Sequence, residues 1–399
     1  EPVMARATPG RRAAAAGGQG GNLQELANTA WSFAPIAYHD APLLAAISSA
    51  AIRTMSSTTP STDGGRTVGI LGVVHALSEA EFLEPELLAV ADAALAEHAR
   101  LLDGDQAAGA AGAEATSVAA LGAEPGVLRV QGPLLALWKP PGWVVSVTSA
   151  DTGADGGVDT AGGEDEVADN VPAEGSKTGP GVKLKEWLAD QFGERCKITR
   201  DAGISCGLLH RLDRDTSGAL LWASSYGGFF AAKLRFVTGQ VRKDYVCLCH
   251  GHFPPVPRLL DMPLSEKTDS SFVAVDHARG RPARTEILAA ACFLCPDGTP
   301  VSLVQIQLHT GRQHQIRAHM AHLGHPLVGD ATYGGRTPSW CPRMFLHACR
   351  LALEAPGGAL DIPVPLPADL QGTAGMLRPL STQAANLMHP WVCSDLGST

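Results

Sequence analysis

Five strand-like runs in the second half of the chain limit most strongly what it can fold into. Each run is rich in apolar residues and is bounded by turn residues. Few helical stretches separate them (near 229–237 and after Thr310, with another before the first run near 184–192), whereas a doubly wound parallel sheet needs a crossover helix after almost every strand. The sequence therefore predicts an α+β fold with a mixed, largely antiparallel sheet. The runs lie at 219–223, 244–249, 285–294, 301–308 and 344–353.

The N-terminal part of the chain has helical spacing instead. Between 22 and 103 the apolar layout repeats after 44 residues, so that Ile70 corresponds to Leu26, and the first unit divides near Asp40. This pattern predicts α-helical hairpin repeats, as at the end of an α-solenoid. Residues 26–34 also resemble helical-hairpin repeats of organellar RNA-associated proteins. An equally good interpretation is two amphipathic hairpins that pack on a neighbouring domain.

Three segments have too few large apolar residues to form a core. Residues 1–21 are rich in Ala, Gly and Arg, and we expect them to be disordered. Residues 104–126 are expected to form a linker. Residues 150–181 contain eight acids before the first base, which predicts a disordered acidic insertion. The insertion interrupts a catalytic domain predicted at 127–376, which a C-terminal tail follows at 377–399.

The charge of the chain is unevenly distributed. Its net charge is −9, which by itself argues against nucleic acid as a partner. Between 183 and 355, however, 21 Lys and Arg stand against 15 Asp and Glu. The part predicted to be catalytic is therefore basic, which favours an anionic substrate. No apolar run reaches about 18 residues, so we expect no membrane span.

The nine cysteines favour a reducing, intracellular environment, because their number is odd and the chain does not need a disulfide framework. The close pairs Cys247/Cys249 and Cys292/Cys295 lie in strand-like runs without the loop chemistry of a zinc ribbon. The histidines between 309 and 325 lack the spacing of a zinc helix. We therefore expect no metal. Because the chain does not begin with methionine, we expect a longer protein, whose compartment (a chloroplast or mitochondrion among the options) stays open.

The nine residues 210–218 carry the clearest chemical signal. They join an apolar approach to an apolar strand, which holds Asp213 on a tight loop between Arg211 and Arg214. A carboxylate beside arginines stays ionised and can act as a nucleophile or a base. A single aspartate among arginines is more often part of a surface ion pair. The full nine-residue string favours the catalytic interpretation.

Two further stretches contain candidate site residues. Alternation along 243–251 places Tyr245 on the same strand face as Cys247, where it could stack on a base or, more simply, be a half-buried strand tyrosine. In the second stretch, Thr310 and a glutamine three residues later form a capping-box pattern, which predicts a helix starting there. Arg317 would then lie in its second turn and could hold a carboxylate by a bidentate pair.

Together these three stretches, in this order and spacing, resemble the RluA-type RNA pseudouridine synthase family. The resemblance runs from about Val127 to Met376 and leaves out the helical hairpins. It implies a pseudouridine synthase fold with a central catalytic cleft, in which a uridine of RNA is isomerised without cofactor or metal. The other matching stretches are Lys139-Pro140-Pro141-Gly142, Gly280-Arg281-Pro282-Ala283-x-Thr285, His325-Pro326-Leu327-Val328-Gly329-Asp330-x-x-Tyr333-Gly334 and Phe345-Leu346-His347-Ala348.

The resemblance also implies roles for individual residues. Asp213 would be the nucleophile, with attack at sugar C1′ or ring C6 left open. Tyr245 would stack on the target base and assist proton transfer, and Arg317 would pair with Asp213. Arg211 would fill the gap left by the flipped base, since a stacked base is out of reach. The partner is RNA, bound by a catalytic domain expected to be monomeric. Further substrate-binding residues are expected at Arg214, Thr216, Lys243, Arg312, His314 and Gln315.

Three other functions compete with this one. A catalytically silent RNA-binding protein on the same fold stays open as the alternative. A protein kinase is excluded because the chain lacks a Gly-rich phosphate loop and an Asp-Phe-Gly triplet. A hydrolase would need a second acid or base, and no stretch supplies one. The sequence leaves open whether ribosomal, transfer or messenger RNA is the target.

Overall fold

The computed structural model describes residues 23–33, 40–57, 64–104, 115, 122–145, 183–254, 258–266, 272–355 and 357–392. The segments predicted to be disordered, 1–21 and 150–181, lie outside these residues. Most of the predicted linker 104–126 lies outside them as well.

The N-terminal part forms helices at the predicted positions, with the break near Asp40. The last of them begins at Pro85, which suits a first helical turn because its missing N–H would be unpaired there anyway. It ends before Gly104, whose φ of 61° stops the helix. In chain order these helices are α1 (Leu23–Phe33), α2 (Ala41–Ser57), α3 (Gly64–Glu79) and α4 (Pro85–Asp103).

The rest of the described chain contains twelve strands and five further helices, besides short 3-10 turns. The strands are β1 (Gly126–Gln131), β2 (Leu134–Lys139), β3 (Ser217–Ala223), β4 (Arg242–His250), β5 (Arg258–Asp261), β6 (Leu264–Glu266), β7 (Val273–Val275), β8 (Arg284–Leu294), β9 (Pro300–Leu308), β10 (Leu346–Ala355), β11 (Gly358–Pro363) and β12 (Arg378–Pro379). The helices are α5 (Leu184–Phe192), α6 (Tyr226–Val237), α7 (Gln315–His322), α8 (Ala368–Gly375) and α9 (Thr382–Val392).

Ten of the described strands form one sheet, in the order β1-β2-β3-β10-β4-β9-β8-β12 with β11 beside β10 and β5 beside β8. Only the pairing of β3 with β10 is parallel among the described strands. The predicted α+β class with a mixed, largely antiparallel sheet is therefore confirmed. At the parallel pairing, β3 starts where the 210–218 stretch ends, which places the catalytic candidate at the end of a central strand.

The two faces of the sheet pack against different cores. On β4, Tyr245 and Cys247 face a large core that extends to the N-terminal helices, while Val246 and Leu248 face a second core beneath α8 and α9. The predicted alternation on this strand is confirmed. The second core includes Met388 of α9, so residues 378–392 of the predicted tail pack on the sheet and extend the domain beyond 376.

The N-terminal helices are joined to the catalytic domain by shared core and by a cap. Leu87 and Leu95 of α4 belong to the same hydrophobic core as the sheet. The carboxylate of Asp103 accepts hydrogen bonds from the backbone N–H groups of Tyr226 (2.9 Å) and Gly227 (3.0 Å), the first two residues of α6. The end of α4 thus caps the start of α6. The hairpins pack on a neighbour, as one of the two interpretations expected.

This cap should be measurable in the stability of the protein. Replacing an N-terminal helix cap by alanine costs about 0.5–2 kcal/mol, because helix N–H groups lose their acceptor. We expect Asp103→Ala to lower the free energy of unfolding by that amount in urea titrations. The control is Asp92→Ala, which removes an exposed carboxylate from the same helix. Equal stability of the two variants would contradict the capping role.

Candidate active site

The loop that carries Asp213 is shaped by a lysine buried beneath it. Lys139, at the end of β2, is fully buried, and its ammonium donates to the carbonyl oxygens of Pro140 (3.0 Å), Arg214 (2.8 Å) and Thr216 (2.7 Å). The Thr216 N–H in turn donates to the Asp213 carbonyl at 3.0 Å, which closes a turn. One cation therefore fixes the backbone on the C-terminal side of Asp213.

A second cation, the guanidinium of Arg343, holds the same loop at Asp215 and Ser217. The guanidinium of Arg343 donates to the Asp215 carbonyl and to the Ser217 hydroxyl, both at 2.9 Å. The Ser217 hydroxyl also lies 3.0 Å from Nδ1 of His347. Burial lowers the pKa of His347 to about 4, so its ring is neutral at physiological pH. Neutral histidine and charged arginine together anchor the first residue of β3.

Arg317 joins three parts of the chain at the candidate site. Its guanidinium makes two hydrogen bonds to Asp330, at 2.8 and 2.9 Å, and lies 3.4 Å from the Asp213 carboxylate. Its other contact is the ring of Tyr333, 5.0 Å from the guanidinium carbon. Burial alone would lower the pKa of Arg317, but the bonds to Asp330 and the charges of Asp213 and Asp330 raise it on balance.

The expected pairing of Arg317 with Asp213 is present, but the bidentate pair goes to Asp330. Asp330 belongs to one of the stretches that resemble the family, but no role is expected for it from the sequence alone. Its side chain is 1% exposed, and it holds the arginine in place. The string Gly329-Asp330-x-x-Tyr333 is the sequence feature that could have indicated a role for Asp330, since Tyr333 packs on the same guanidinium.

Helix α7 begins later than the capping-box pattern predicts, at Gln315. The preceding residue, His314, has a left-handed φ of 50°, which excludes it from the helix. The Gln315 side chain accepts hydrogen bonds from the Thr310 hydroxyl (2.8 Å) and the Arg312 N–H (3.0 Å), so it shapes the loop instead of continuing a helix. The predicted helix start is wrong, and Arg317 consequently lies in the first turn.

Tyr245 lies in the middle of the sheet and is 6% exposed. It is more deeply buried than the half-buried tyrosine that alternation alone suggests. Burial raises its pKa, and the charge of Asp213 adds to the effect. Its phenol therefore stays protonated at physiological pH. It can stack on a ring or donate a hydrogen bond beside the Asp213 carboxylate.

These side chains line one cavity of about 150 Å³. Its wall contains Asp213, Tyr245 and Arg317 together with further basic side chains. The size is well below the roughly 300–1,000 Å³ of pockets that enclose drug-sized ligands, so it suits one ring of a longer substrate. Burial, with the charge of Arg312, lowers the pKa of Lys243 in this wall to about 8. The basic residues of the lining are Arg211, Lys233, Lys243, Arg312 and Arg317.

Of the ten predicted site residues, nine line the cavity. The exception is Arg214, whose side chain instead lies beside Asp215, with 3.3 Å between Nε and the carboxylate. Gln315 lines the cavity, but its amide is bonded within the protein, to Arg284 and Thr285 as well as to the loop. The Thr216 hydroxyl is buried and has no hydrogen-bond partner within the described residues.

Sequence reasoning missed two side chains of the cavity that come from the N-terminal helices. His75 and Glu79 of α3 line the same cavity as Asp213. No local signal could have placed them there, because their position depends on how α3 and α4 dock on α6.

Within the described residues, no group of His, Cys, Asp and Glu side chains is arranged to hold a metal ion. Those residues also contain no helix that is both long enough and apolar enough to cross a membrane.

Comparison with known proteins shows the family of this chain. Residues 134–322 match the RNA pseudouridylate synthase family, and they include Asp213, Tyr245 and Arg317. A tRNA pseudouridine synthase C of Pasteurella multocida is 37% identical over 163 residues, which cover 37% of this chain and 67% of that protein. The chain belongs to the RNA pseudouridylate synthase family.

Other members of the family are similar over shorter shares of their length. An uncharacterized RNA pseudouridine synthase of Chloroflexus aurantiacus is 39% identical over 168 residues, which cover 41% of this chain and 51% of that protein. The dual-specificity RNA pseudouridine synthase RluA of Vibrio vulnificus is 32% identical over 151 residues, covering 37% and 60%. The chain spans about half the length of the curated relatives that match it first, from 51% to 56%.

The lysine beneath the loop should be needed to keep that loop in place. Lys139→Met would keep the apolar stem but leave three carbonyl groups without their donor, at about 1–3 kcal/mol for each one left unsatisfied. We expect faster hydrogen exchange across 210–217, measured by mass spectrometry. The control, Lys197→Met, removes an exposed lysine from the same domain. Unchanged hydrogen exchange in Lys139→Met would show that the loop keeps its conformation without the lysine.

The buried pair of Arg317 and Asp330 should contribute more to stability than an exposed pair. Asp330→Asn leaves the Arg317 charge without its bidentate partner, so we expect a loss of about 3–5 kcal/mol in the free energy of unfolding. The exposed pair of Arg350 and Asp361 provides the comparison, and Asp361→Asn should cost at most about 1 kcal/mol. Urea titrations of both variants measure the difference. Similar losses would mean that burial does not decide the strength of these pairs.

Proposed function

We propose that this protein is an RNA pseudouridine synthase that isomerises a uridine within RNA. One observation carries the proposal: Asp213, Tyr245 and Arg317, from three separate elements, meet in a single cavity with a basic wall. The isomerisation breaks the bond from C1′ to the ring nitrogen and forms a bond from C1′ to a ring carbon. The ring carbon then loses its proton and the released ring nitrogen gains one, so the reaction is balanced in atoms and electrons and consumes no oxidant or reductant.

Asp213 acts as the nucleophile, at C1′ of the sugar or at C6 of the ring. Its carboxylate is 15% exposed, which leaves it open to the cavity, and Arg317 lies on its other side at 3.4 Å. A nucleophile held in one orientation reacts faster, because less motion must be lost on the way to the transition state. The bidentate bond to Asp330 holds Arg317, and through it Asp213, in place.

The target uridine must leave its stack to reach Asp213. Enzymes that act on a base inside a duplex flip that base into a pocket, because its reacting atoms are otherwise inaccessible. The cavity holds one ring, and Tyr245 supplies an aromatic face for it. Arg211, two residues before Asp213, lies in the cavity wall where it can fill the gap that the base leaves.

The phosphate groups of the RNA pair with the basic side chains of the wall. Lys243 and Arg312 lie on different elements of the same cavity, and their charges repel one another, which is one reason for the lowered pKa of Lys243. A bound phosphate relieves that repulsion. Because such contacts release counterions, binding should weaken as salt rises.

The test is pseudouridine formation on total cellular RNA, read by chemical mapping. Wild-type protein should form pseudouridine at defined positions, and Asp213→Asn should reduce the rate by about 10⁴-fold or more, since the amide is a poor nucleophile. Asp215→Asn is the matched control. It changes a carboxylate two residues away that is 44% exposed and pairs with Arg214 outside the cavity lining.

Two outcomes would contradict the proposal. Equal product from wild type and Asp213→Asn would exclude Asp213 as the nucleophile. No product from the wild type, with RNA binding retained, would favour a silent RNA-binding protein on this fold.

A further inference from the structure

The N-terminal helices contribute to the wall of the candidate active site. The last turn of α3 places His75 and Glu79 in the lining of the cavity, alongside Lys233 and Phe236 of α6. Both α3 residues lie outside the segment 134–322 that matches the family. This part of the cavity wall therefore comes from outside the segment that matches the family.

Both side chains have neighbours that hold them in place. The His75 ring packs edge-on against Trp31 of α1, with 4.8 Å between ring centroids. Its Nε2 lies 3.9 Å from the Glu79 carboxylate one turn further on. The side chains are 12% and 25% exposed, so each is partly shielded and still reachable from the cavity. His75 and Glu79 thus form a polar pair at the end of α3, and Trp31 at the end of α1 holds the His75 ring in place.

Glu79 is poorly placed to stabilise its own helix. It is the last residue of α3, where the helix dipole disfavours a negative charge. Within the described cavity lining, Asp213 and Glu79 are the only carboxylates, opposite five basic side chains. Neither helix stability nor phosphate binding explains a second carboxylate there, because a carboxylate repels phosphate.

A carboxylate in such a cavity suits a nucleobase edge. Glutamate accepts hydrogen bonds from exocyclic amino groups, as it does from cytosine N4 in DNA grooves. Guanine can donate from both N1 and N2 and so pair with both carboxylate oxygens. Adenine and cytosine can donate from one amino group, while the ring N–H of uracil lies between two carbonyl oxygens that a carboxylate repels.

We propose that Glu79, held by His75, reads a nucleobase next to the target uridine and prefers guanine there. Adenine and cytosine rank below guanine, and uracil ranks last. The proposal rests on the proposed function, since it assumes that RNA binds at this cavity, with the target ring inside it and the neighbouring base at the partly exposed Glu79 side chain. Glu79 is a specificity-determining residue, and the basic residues of the wall hold the backbone whatever the neighbouring base is.

The experiment uses a pool of RNA oligonucleotides with one central uridine and randomised flanks. Pseudouridine formation by the full chain is read by sequencing for wild type, Glu79→Gln and Glu79→Ala. Glu86→Gln is the matched control, because it removes the same charge from an exposed site near the start of α4, outside the cavity lining. Binding of the same pool to Asp213→Asn, with and without Glu79→Gln, reports base preference without turnover.

With wild type and Glu86→Gln, we expect guanine at one flanking position to be preferred over uracil by about 5- to 100-fold, the range of one good bidentate contact. Glu79→Gln should reduce that preference to a few-fold or less, and Glu79→Ala should abolish it. The same change should be seen in the binding profiles.

The outcomes separate this proposal from the previous one. A guanine preference that survives Glu79→Gln, or flat profiles with wild type in both turnover and binding, would overturn the reading of a base by Glu79. No product from wild type on total cellular RNA would instead overturn the enzymatic function. The binding profiles of Asp213→Asn would still decide whether Glu79 selects a base.

Discussion

The candidate site depends on a guanidinium that is almost removed from water. Arg317 lies between Asp330, with two short hydrogen bonds, and Asp213 at 3.4 Å, and it faces the ring of Tyr333. A buried cation is costly unless its donors are satisfied, and here two carboxylates and an aromatic face compensate it. The pair links the start of α7 to a loop 104 residues earlier in the chain. The nucleophile candidate therefore owes its position to tertiary structure.

The Asp213 loop is held in the same way on its other side. The Lys139 ammonium donates hydrogen bonds to the carbonyl of Pro140, just after β2, and to two carbonyls of the loop. Arg343 donates to the carbonyl of Asp215 and to the hydroxyl of Ser217. A buried loop has backbone groups that no regular secondary structure pairs, so other groups must satisfy them. Two cations supply the missing donors, so a loop beside the central strand can be rigid without regular structure. Such preorganisation is what a positioned nucleophile requires.

The N-terminal helices form one body with this site. They share the main core of the sheet, and Asp103 caps α6, whose C-terminal half also lines the cavity. One hydrophobic core is continuous across the N-terminal helices and the sheet. A change in the packing of the helices can therefore shift the side chains of the cavity wall without a hinge between the two parts. This arrangement gives a physical route by which an extension outside the family match can select substrate for shared chemistry.

The sequence by itself determined the α+β class, five of the twelve described strands and the 210–218 loop, because these follow from side-chain periodicity and turn chemistry. The catalytic candidates came from the resemblance of three stretches to a known family. The sequence could not determine that Asp330 takes the bidentate bond of Arg317, that Gln315 delays α7, or that Glu79 reaches the cavity. Those outcomes depend on which distant groups the sheet order and the docking of α4 on α6 bring within a few ångströms. The local sequence determines which secondary structure and which interactions a residue can form, whereas the tertiary packing determines which distant residue becomes its partner.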